Sequence, residues 1–362
     1  QQAGLELQID GAGNHSAMLC CANPSAPTLL LGSHLDSVPD GGRFDGALGV
    51  VAALEVLRTI QEAGLHLPVH LEAIDFTDEE GTLVGFIGSG TLTGTLTAHD
   101  LQNPRGGRQA LLAGLARAGL SEDGLFTARR DPASLAGYLE LHIEQGPRLY
   151  EVGVAIGVVS GIVGIASYRL AFSGRANHAG TTPMAARRDA GLGAAGFILA
   201  ARALVMEAFP GCVANVGMLR LDPGAFNIIP GRAELALECR AADANTLERL
   251  QARLLESAAQ EAARYGLALE VTPVGRDAPA PMSQPLQQAI LSAAADLGLT
   301  TQSMPSGAGH DAQNLAMVCP TGMIFIPSVG GISHSPQETS RWEDCLNGAN
   351  VLLGAALRLA LG

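Results

Sequence analysis

Residues 28–46 read Thr28-Leu29-Leu30-Leu31-Gly32-Ser33-His34-Leu35-Asp36-Ser37-Val38-Pro39-Asp40-Gly41-Gly42-Arg43-Phe44-Asp45-Gly46. The stretch opens on an apolar run over residues 28–33, the pattern of a buried strand. His34 and Asp36 come where that strand ends. A Gly-rich loop then delivers Asp45, and Leu48 to Glu62 follows at helical spacing. Open α/β sheets are built from such strand–loop–helix units, and they place their sites at the carboxyl ends of the strands.

The pattern recurs. Val69 to Phe76 predicts a second strand, ending at Thr77-Asp78-Glu79-Glu80-Gly81. Tyr138 to Ile143 predicts a third, which carries His142. Met323 to Pro327 predicts a late strand leading to Gly331-Ile332-Ser333-His334-Ser335-Pro336. The last helix is marked by Ser340 and Glu343 as a capping box and by Leu346, Ala349, Leu353, Leu357 and Ala360 at helical spacing.

The middle of the chain has another texture. Tyr168 to Phe172 alternates, Met184 to Phe209 is Ala-rich and helical, and Val213 to Leu219 and Ala233 to Arg240 alternate again. Asn245 to Tyr265 is an amphipathic helix, and Leu267 to Thr272 a last strand. This β-α-β-β-α-β order suits a four-stranded antiparallel sheet with two helices. The expected organisation is one α/β domain over residues 1–159 and 276–362, with an inserted α+β domain over 160–275.

A chain of 362 residues is large for one core, and 47% hydrophobic against 16% charged residues leaves ample material for two. The net charge of −13 argues against a nucleic-acid partner and is otherwise a solubility feature. Six cysteines occur without a C-x-x-C pair, which fits buried thiols in a reducing compartment. No apolar run is expected to span a membrane and no signal peptide opens the chain, so the expected location is cytoplasmic. The chain starts at Gln1, close to strand pattern, and a preceding segment is expected to be missing.

The chemistry lies in the strand-end residues. His34, His142 and His334 supply three imidazoles, and Asp45 and Glu80 two carboxylates. That set suits two adjacent divalent ions, with Glu79 left over to accept a proton from water. In an H-x-D run along a strand both side chains share a face, so Asp36 is expected to hydrogen-bond one ring nitrogen of His34 and aim the other. Asp45, between glycines, reads as a bridging carboxylate or as an Asx-turn. Glu79-Glu80 reads as a working pair or as a solvated edge. A second cluster comprises His178 in residues 174–184, Asn227 in Asn227-Ile228-Ile229-Pro230-Gly231, and Arg240. Arg suits a carboxylate, and His with Asn suits a carbonyl oxygen gaining charge. A helix cap near Pro183, a turn and a surface salt bridge are the plainer readings.

These motifs, namely GSHLDSVPDGGRFDGALGV, FTDEEG, LHIEQGP, GRANHAGTTPMAARRDA, FNIIPG, MPSGAGHDA and GISHSP, resemble the M20 metallopeptidase-type amidohydrolases. The likeness is to the branch of N-carbamoyl-L-amino acid hydrolases, allantoate amidohydrolases and β-ureidopropionases. It implies a metallo-aminopeptidase-like mixed sheet with helices on both faces plus the inserted domain. It implies one ion on His34 and His142, a second on Glu80 and His334, and Asp45 between them. Zinc is the first expectation, with manganese, cobalt or nickel as alternatives. Glu79 matches the general base and Asp36 the residue orienting the first histidine. Gln145, His178, Asn227 and Arg240 match positions that contact a small anionic ureido substrate. A homodimer through the inserted domain is implied. The leading expectation is hydrolysis of N-carbamoyl-L-amino acids, with allantoate as the alternative, then β-ureidopropionate or a di-zinc dipeptidase. Thr82-Leu83-Val84-Gly85-Phe86 departs from the usual Ser-Arg-Phe run after EEG and alters the expected pocket wall.

Overall fold

The computed structural model describes residues 5–362. The expectation about the start of the chain falls on residues 1–4 and lies outside them. The chain divides into two compact units, one running up to Ile162 and resuming over Pro281–Gly362, the other Val163–Ala280.

In the larger unit the strands before the changeover are β1 (Glu6–Ile9), β2 (His15–Leu19), β3 (Thr28–His34), β4 (His70–Phe76), β5 (Leu135–Ile143) and β6 (Ile156–Ile162). The smaller unit contributes β7 (Gly164–Ser173), β8 (Asn177–His178), β9 (Val213–Asp222), β10 (Ile228–Ile229), β11 (Arg232–Ala241) and β12 (Ala268–Asp277). β13 (Ala280–Pro281) falls at the changeover, and the larger unit then adds β14 (Thr301–Ser306) and β15 (Thr321–Ile326). Its sheet runs β1-β2-β4-β3-β5-β15-β6-β13, with β14 also on β6. β4, β3, β5 and β15 are mutually parallel. β2 joins antiparallel to β4, and β6 antiparallel to β15, so the sheet is mixed.

Strand alternation explains how this sheet supports a site. Leu29 and Leu31, Leu71 and Ala73, Leu139, Leu141 and Ile143, and Ile324 and Ile326 join one core with the helices Ala47–Glu62, Gln284–Asp296 and Trp342–Leu361. The intervening residues face the other way. They include His34, Glu72, Glu140 and His142, all buried, and this face is covered by the short helices Ile87–Thr93 and Asp311–Leu315. Charge on the covered face is matched where it can be. Glu72 takes both arms of the Arg130 guanidinium at 2.6 and 2.7 Å, the bidentate geometry that makes a buried carboxylate tolerable.

The smaller unit is a four-stranded antiparallel sheet, β12-β7-β11-β9, with the helices Ala190–Ala208 and Ala244–Arg264 packed on one face. Three sequence expectations are corrected here. The helix expected from Met184 starts at Ala190, capped by the Asp189 carboxylate; Met184–Ala186 is only a 3-10 turn. The Arg187 guanidinium holds that segment by donating to the carbonyls of Thr182 and Ala179, which stops the helix from extending backward. Ala190–Ala208 also has the length and apolar composition of a membrane span, which the sequence reading did not credit. A helix seated on a sheet passes the same test, and Ala190, Ala194, Phe197 and Ala201 seat this one. Finally, Ser340 does not cap the last helix. Its hydroxyl donates to Pro327 O at 2.8 Å, and Arg341 occupies the cap position without a side-chain bond.

Candidate metal centre

His34 is the last residue of β3 and His142 the penultimate residue of β5, on the same covered face of the sheet. Each ring is aimed by a backbone carbonyl. His34 Nδ1 lies 2.9 Å from Asp36 O, and His142 Nδ1 lies 2.9 Å from Ile143 O. With Nδ1 donating to a carbonyl, Nε2 is the ring atom left to face a cation, the orientation a metal-binding imidazole needs. Both Nε2 atoms face Asp45 Oδ1, at 4.0 Å from His34 and 3.1 Å from His142. The second Asp45 oxygen, Oδ2, faces His334 Nε2 at 3.4 Å, and that nitrogen lies 3.6 Å from Glu80 Oε1. His34, Asp45 and His142 form one ligand group and Asp45, Glu80 and His334 a second, sharing Asp45 with one oxygen each.

The backbone is shaped around these side chains. Gly46 has φ +63°, and a Cβ there would stand 2.4 Å from the His34 ring, so only glycine fits. Gln145 and His334 both hold positive φ, at 56° and 52°. Left-handed backbone in non-glycine residues is costly and collects at working sites. Gln145 donates from Nε2 to Asp45 Oδ2 at 3.0 Å, and its own N–H is held by Ser328 Oγ.

Asp36 departs from expectation. Its carboxylate is 3.8 Å from His34 Nδ1, and that nitrogen donates to the Asp36 carbonyl instead. The carboxylate accepts the backbone N–H of Glu79 at 3.1 Å and of Glu80 at 3.0 Å. Asp36 therefore fixes the turn that presents both acids. Glu79 Oε2 lies 3.6 Å from His34 Nε2. The unusual run Thr82–Phe86 is pinned by Asp78, whose carboxylate takes the N–H groups of Leu83, Val84 and Gly85 at 3.0, 2.8 and 3.0 Å.

The electrostatics are those of crowded acids and imidazoles. Burial, with the Asp311 and Glu80 charges, raises Glu79 well above the usual carboxyl range. Burial and the Asp45 charge bring Glu80 to about 7. Burial, reinforced by the His142 charge, lowers His34 to about 4. At His142 burial opposes the proton, but the Asp45 hydrogen bond and charge outweigh it and lift the ring to about 9. Asp45 is held low against its own burial by that same partner. Such a set is short of positive charge: Glu80 Oε1 and Gln145 Oε1 are buried without a hydrogen-bond partner. Two imidazole–carboxylate groups sharing one acid, with a buried Glu80 oxygen left without a donor, fit divalent cations.

Sequence reasoning missed several neighbours. Glu140 accepts from Ser33 Oγ at 2.8 Å and Ala312 N at 2.9 Å, directly beneath the site. His310 packs edge-on against His142, ring centroids 4.5 Å apart, and Asp311 is fully buried beside it. Glu338 reaches Asp45 N. The alternation Leu139-Glu140-Leu141-His142 was a usable signal for the first of these.

In the smaller unit β8 and β10 pair with Ile228 opposite His178, and Ala179 N donates to Asn227 O, so His178 and Asn227 share one ribbon. His178 Nδ1 accepts the N–H groups of Gly180 and Thr181 at 3.0 and 3.2 Å. Its proton is thereby placed on Nε2. Arg240 lies on β11, paired with Glu238 Oε1 at 2.8 Å.

A mixed α/β sheet with this ligand set at its strand ends defines a hydrolase built for divalent metals. The profile of Peptidase family M20/M25/M40 matches residues 30–358, and the chain belongs to that family as one of its amidohydrolases. It is 39% identical over 364 residues to an N-carbamoyl-L-amino acid amidohydrolase of Geobacillus stearothermophilus, covering 100% of this chain and 89% of the relative. It is 36% identical over 371 residues to a ureidoglycolate hydrolase of Arabidopsis thaliana, covering 99% and 78%. The crystal structure of a hydantoinase/carbamoylase family amidase from Burkholderia multivorans superposes with a TM-score of 0.90 at 34% identity, over 100% of this chain and 88% of that one.

Proposed function

We propose that this enzyme hydrolyses the ureido C–N bond of N-carbamoyl-L-amino acids, with one water giving the amino acid, ammonia and carbon dioxide. The observation that carries the reading is the split Asp45 carboxylate, one oxygen toward His34 and His142 and the other toward His334, with the Glu79 carboxyl alongside. His34, His142 and Asp45 would hold one divalent cation, and Asp45, Glu80 and His334 a second, zinc before manganese, cobalt or nickel. Bound there, the cations supply Lewis-acid polarisation of the ureido carbonyl and make water more acidic.

Glu79 takes the proton from the attacking water and returns it to the leaving nitrogen. Glu79 is raised by burial and by the acids around it, and cations held by the neighbouring ligands would oppose that rise. His178, with its proton on Nε2, donates to the oxygen that gains charge, and Asn227 supports it. Arg240 would exchange Glu238 for a substrate carboxylate, and Gln145 is a further proposed substrate contact. The chain acts as a homodimer through the smaller unit. In support, β9 is an edge strand with Val213 and Leu219 exposed, and Leu199 and Met206 are exposed on the helix Ala190–Ala208. A monomer in sedimentation velocity at micromolar concentration counts against this. Six free thiols support a cytoplasmic location.

The second reading is a neighbouring ureido acid, ureidoglycolate or allantoate, favoured by the plant relative's similarity. Ammonia release decides, measured after reconstitution with each metal, on N-carbamoyl-L-amino acids, allantoate, ureidoglycolate, β-ureidopropionate and a dipeptide. The highest kcat/KM is expected on an N-carbamoyl-L-amino acid. Dipeptide cleavage with no response to any ureido compound would overturn the proposal.

A further inference from the structure

Glu338 is a carboxylate only 3% exposed, and no ion pair involves it among the described residues. Burying an acid without a cation is costly unless donors converge on it. Here three do, from two separate loops. Oε1 accepts the backbone N–H of Phe44 at 3.2 Å and of Asp45 at 3.1 Å. Oε2 accepts the Ser333 hydroxyl at 2.9 Å. One loop thus carries Asp45 and the other His334, the residue after Ser333. Gly42 lies directly over the carboxyl group. A Cβ there would stand 2.0 Å from Oε1, so the loop is drawn down as closely as a backbone can come.

The two ligand groups are supported unequally. His34 and His142 stand on strands inside a hydrogen-bonded sheet and need no help from a loop. Asp45 and His334 stand on loops, and His334 also holds a left-handed φ of 52°. Two side chains bond to both loops: Gln145 touches the ligand atoms themselves, Asp45 Oδ2 and His334 Nε2, whereas Glu338 holds the backbone N–H of Asp45 and the Ser333 hydroxyl.

We propose that Glu338 is a positioning residue that ties the Asp45 loop to the His334 loop and so assembles the second cation site, Asp45–Glu80–His334. It touches neither cation nor substrate; it acts through Asp45 N and Ser333 Oγ. Charge-assisted hydrogen bonds of this kind are strong and directional, and partners behind metal ligands commonly carry about 10–100-fold in affinity. The proposal rests on the two-cation reading above.

Zinc titration of the chelator-stripped full chain, read by calorimetry and by bound metal after dialysis, separates the two ideas. If the unaltered protein takes fewer than two zinc ions per chain, the two-cation reading fails. If it takes two, the Glu338 variants test this proposal. Glu338→Gln keeps an oxygen for the two N–H groups and an amide for Ser333 Oγ, so two ions are expected with affinities within a fewfold. Asp45 serves both groups, so Glu338→Ala is expected to weaken both ions, and the second, whose His334 also stands on a loop, by at least about tenfold. Ser333→Ala cuts only the arm to the His334 loop and is expected to weaken the second ion alone, which covers the case in which Glu338→Ala does not fold. Metal-free melting temperatures show which variants are folded. Two tight ions in Glu338→Ala, or unchanged second-ion affinity in Ser333→Ala, overturns the proposal. So does a Glu338→Gln variant as weak as the alanine, because positioning by hydrogen bonds requires the amide to rescue.

Discussion

Glu79 sits among acids. Asp311, Glu80, Glu140 and Asp36 all raise its pKa, after burial itself. Its negative charge is therefore a burden on the metal-free fold and an asset only when cations are near. Glu79→Gln should act in opposite directions on the two properties. Turnover should fall by about 10²–10⁴, while the melting temperature of the chelated protein holds or rises and metal content stays at the unaltered level. Normal turnover in that variant removes Glu79 from its role. The residues around it differ in how far sequence disclosed them. His34, Glu80, His142 and His334 were legible because each ends or follows an apolar run, and Asp45 because it stands in a Gly-rich loop after one. Glu338 was not. It stands two residues beyond a Ser-Pro step and looks like a loop acid. Its burial is imposed by N–H groups 293 and 294 positions earlier in the chain. Asp36 was misread for a local reason: β3 ends at His34, so the alternation that would align the two side chains has already stopped.

Among the elements, β4 shows how an edge of the site answers to pH. Asp75, half-buried opposite His15 of β2, has its carboxyl raised to about 6, by burial first, with an N–H from Leu35 opposing. A carboxyl raised in the folded state binds its proton more tightly there than in the unfolded chain. Its contribution is therefore most favourable below about pH 4 and is lost as pH rises through about 6. Asp75→Asn removes that loss. The unfolding free energy from denaturant titration should rise at pH 7.5 by about 1 kcal/mol after allowing for solvent screening, and should be unchanged near pH 4. An equal shift at both pH values would mean that the effect is packing rather than charge. Elements at large were readable where apolar pattern and position agree, as for β3, β4, β5, β15 and the helix Ala244–Arg264. They were misread where a side chain chose a distant partner. Arg187 ties the 184–187 segment back on itself and delays the helix to Ala190. Ser340 turns to Pro327 O and leaves the last helix without its expected cap.

For the whole molecule, the decisive fact is that the main cores of the two units are separate. The larger is centred on Leu29, Leu141 and Ile324 and the smaller on Leu170, Phe197 and Leu235, and no residue belongs to both. Every residue of the candidate ligand groups lies in the larger unit. A cation that binds only the native form stabilises by about 4 kcal/mol when present at a thousand times its dissociation constant. Chelation should therefore withdraw free energy from one core and leave the other as it was. Hydrogen exchange with and without a chelator tests this without dividing the chain. Amides of residues 34–46, 77–86, 142–147 and 328–340 should lose protection, and so should the strands β3 and β5 if the larger unit opens as a whole. Amides of β7 and β11, paired along ten residues in the centre of the smaller sheet, should keep their rates. If β7 and β11 lose protection in step with β3 and β5, the two cores unfold as one block. The smaller unit would then draw its stability from a metal that none of its own residues binds. Unchanged exchange throughout would say instead that the ligand loops are held by the protein alone, through contacts such as Glu338 to Asp45 N and Asp36 to Glu79 N.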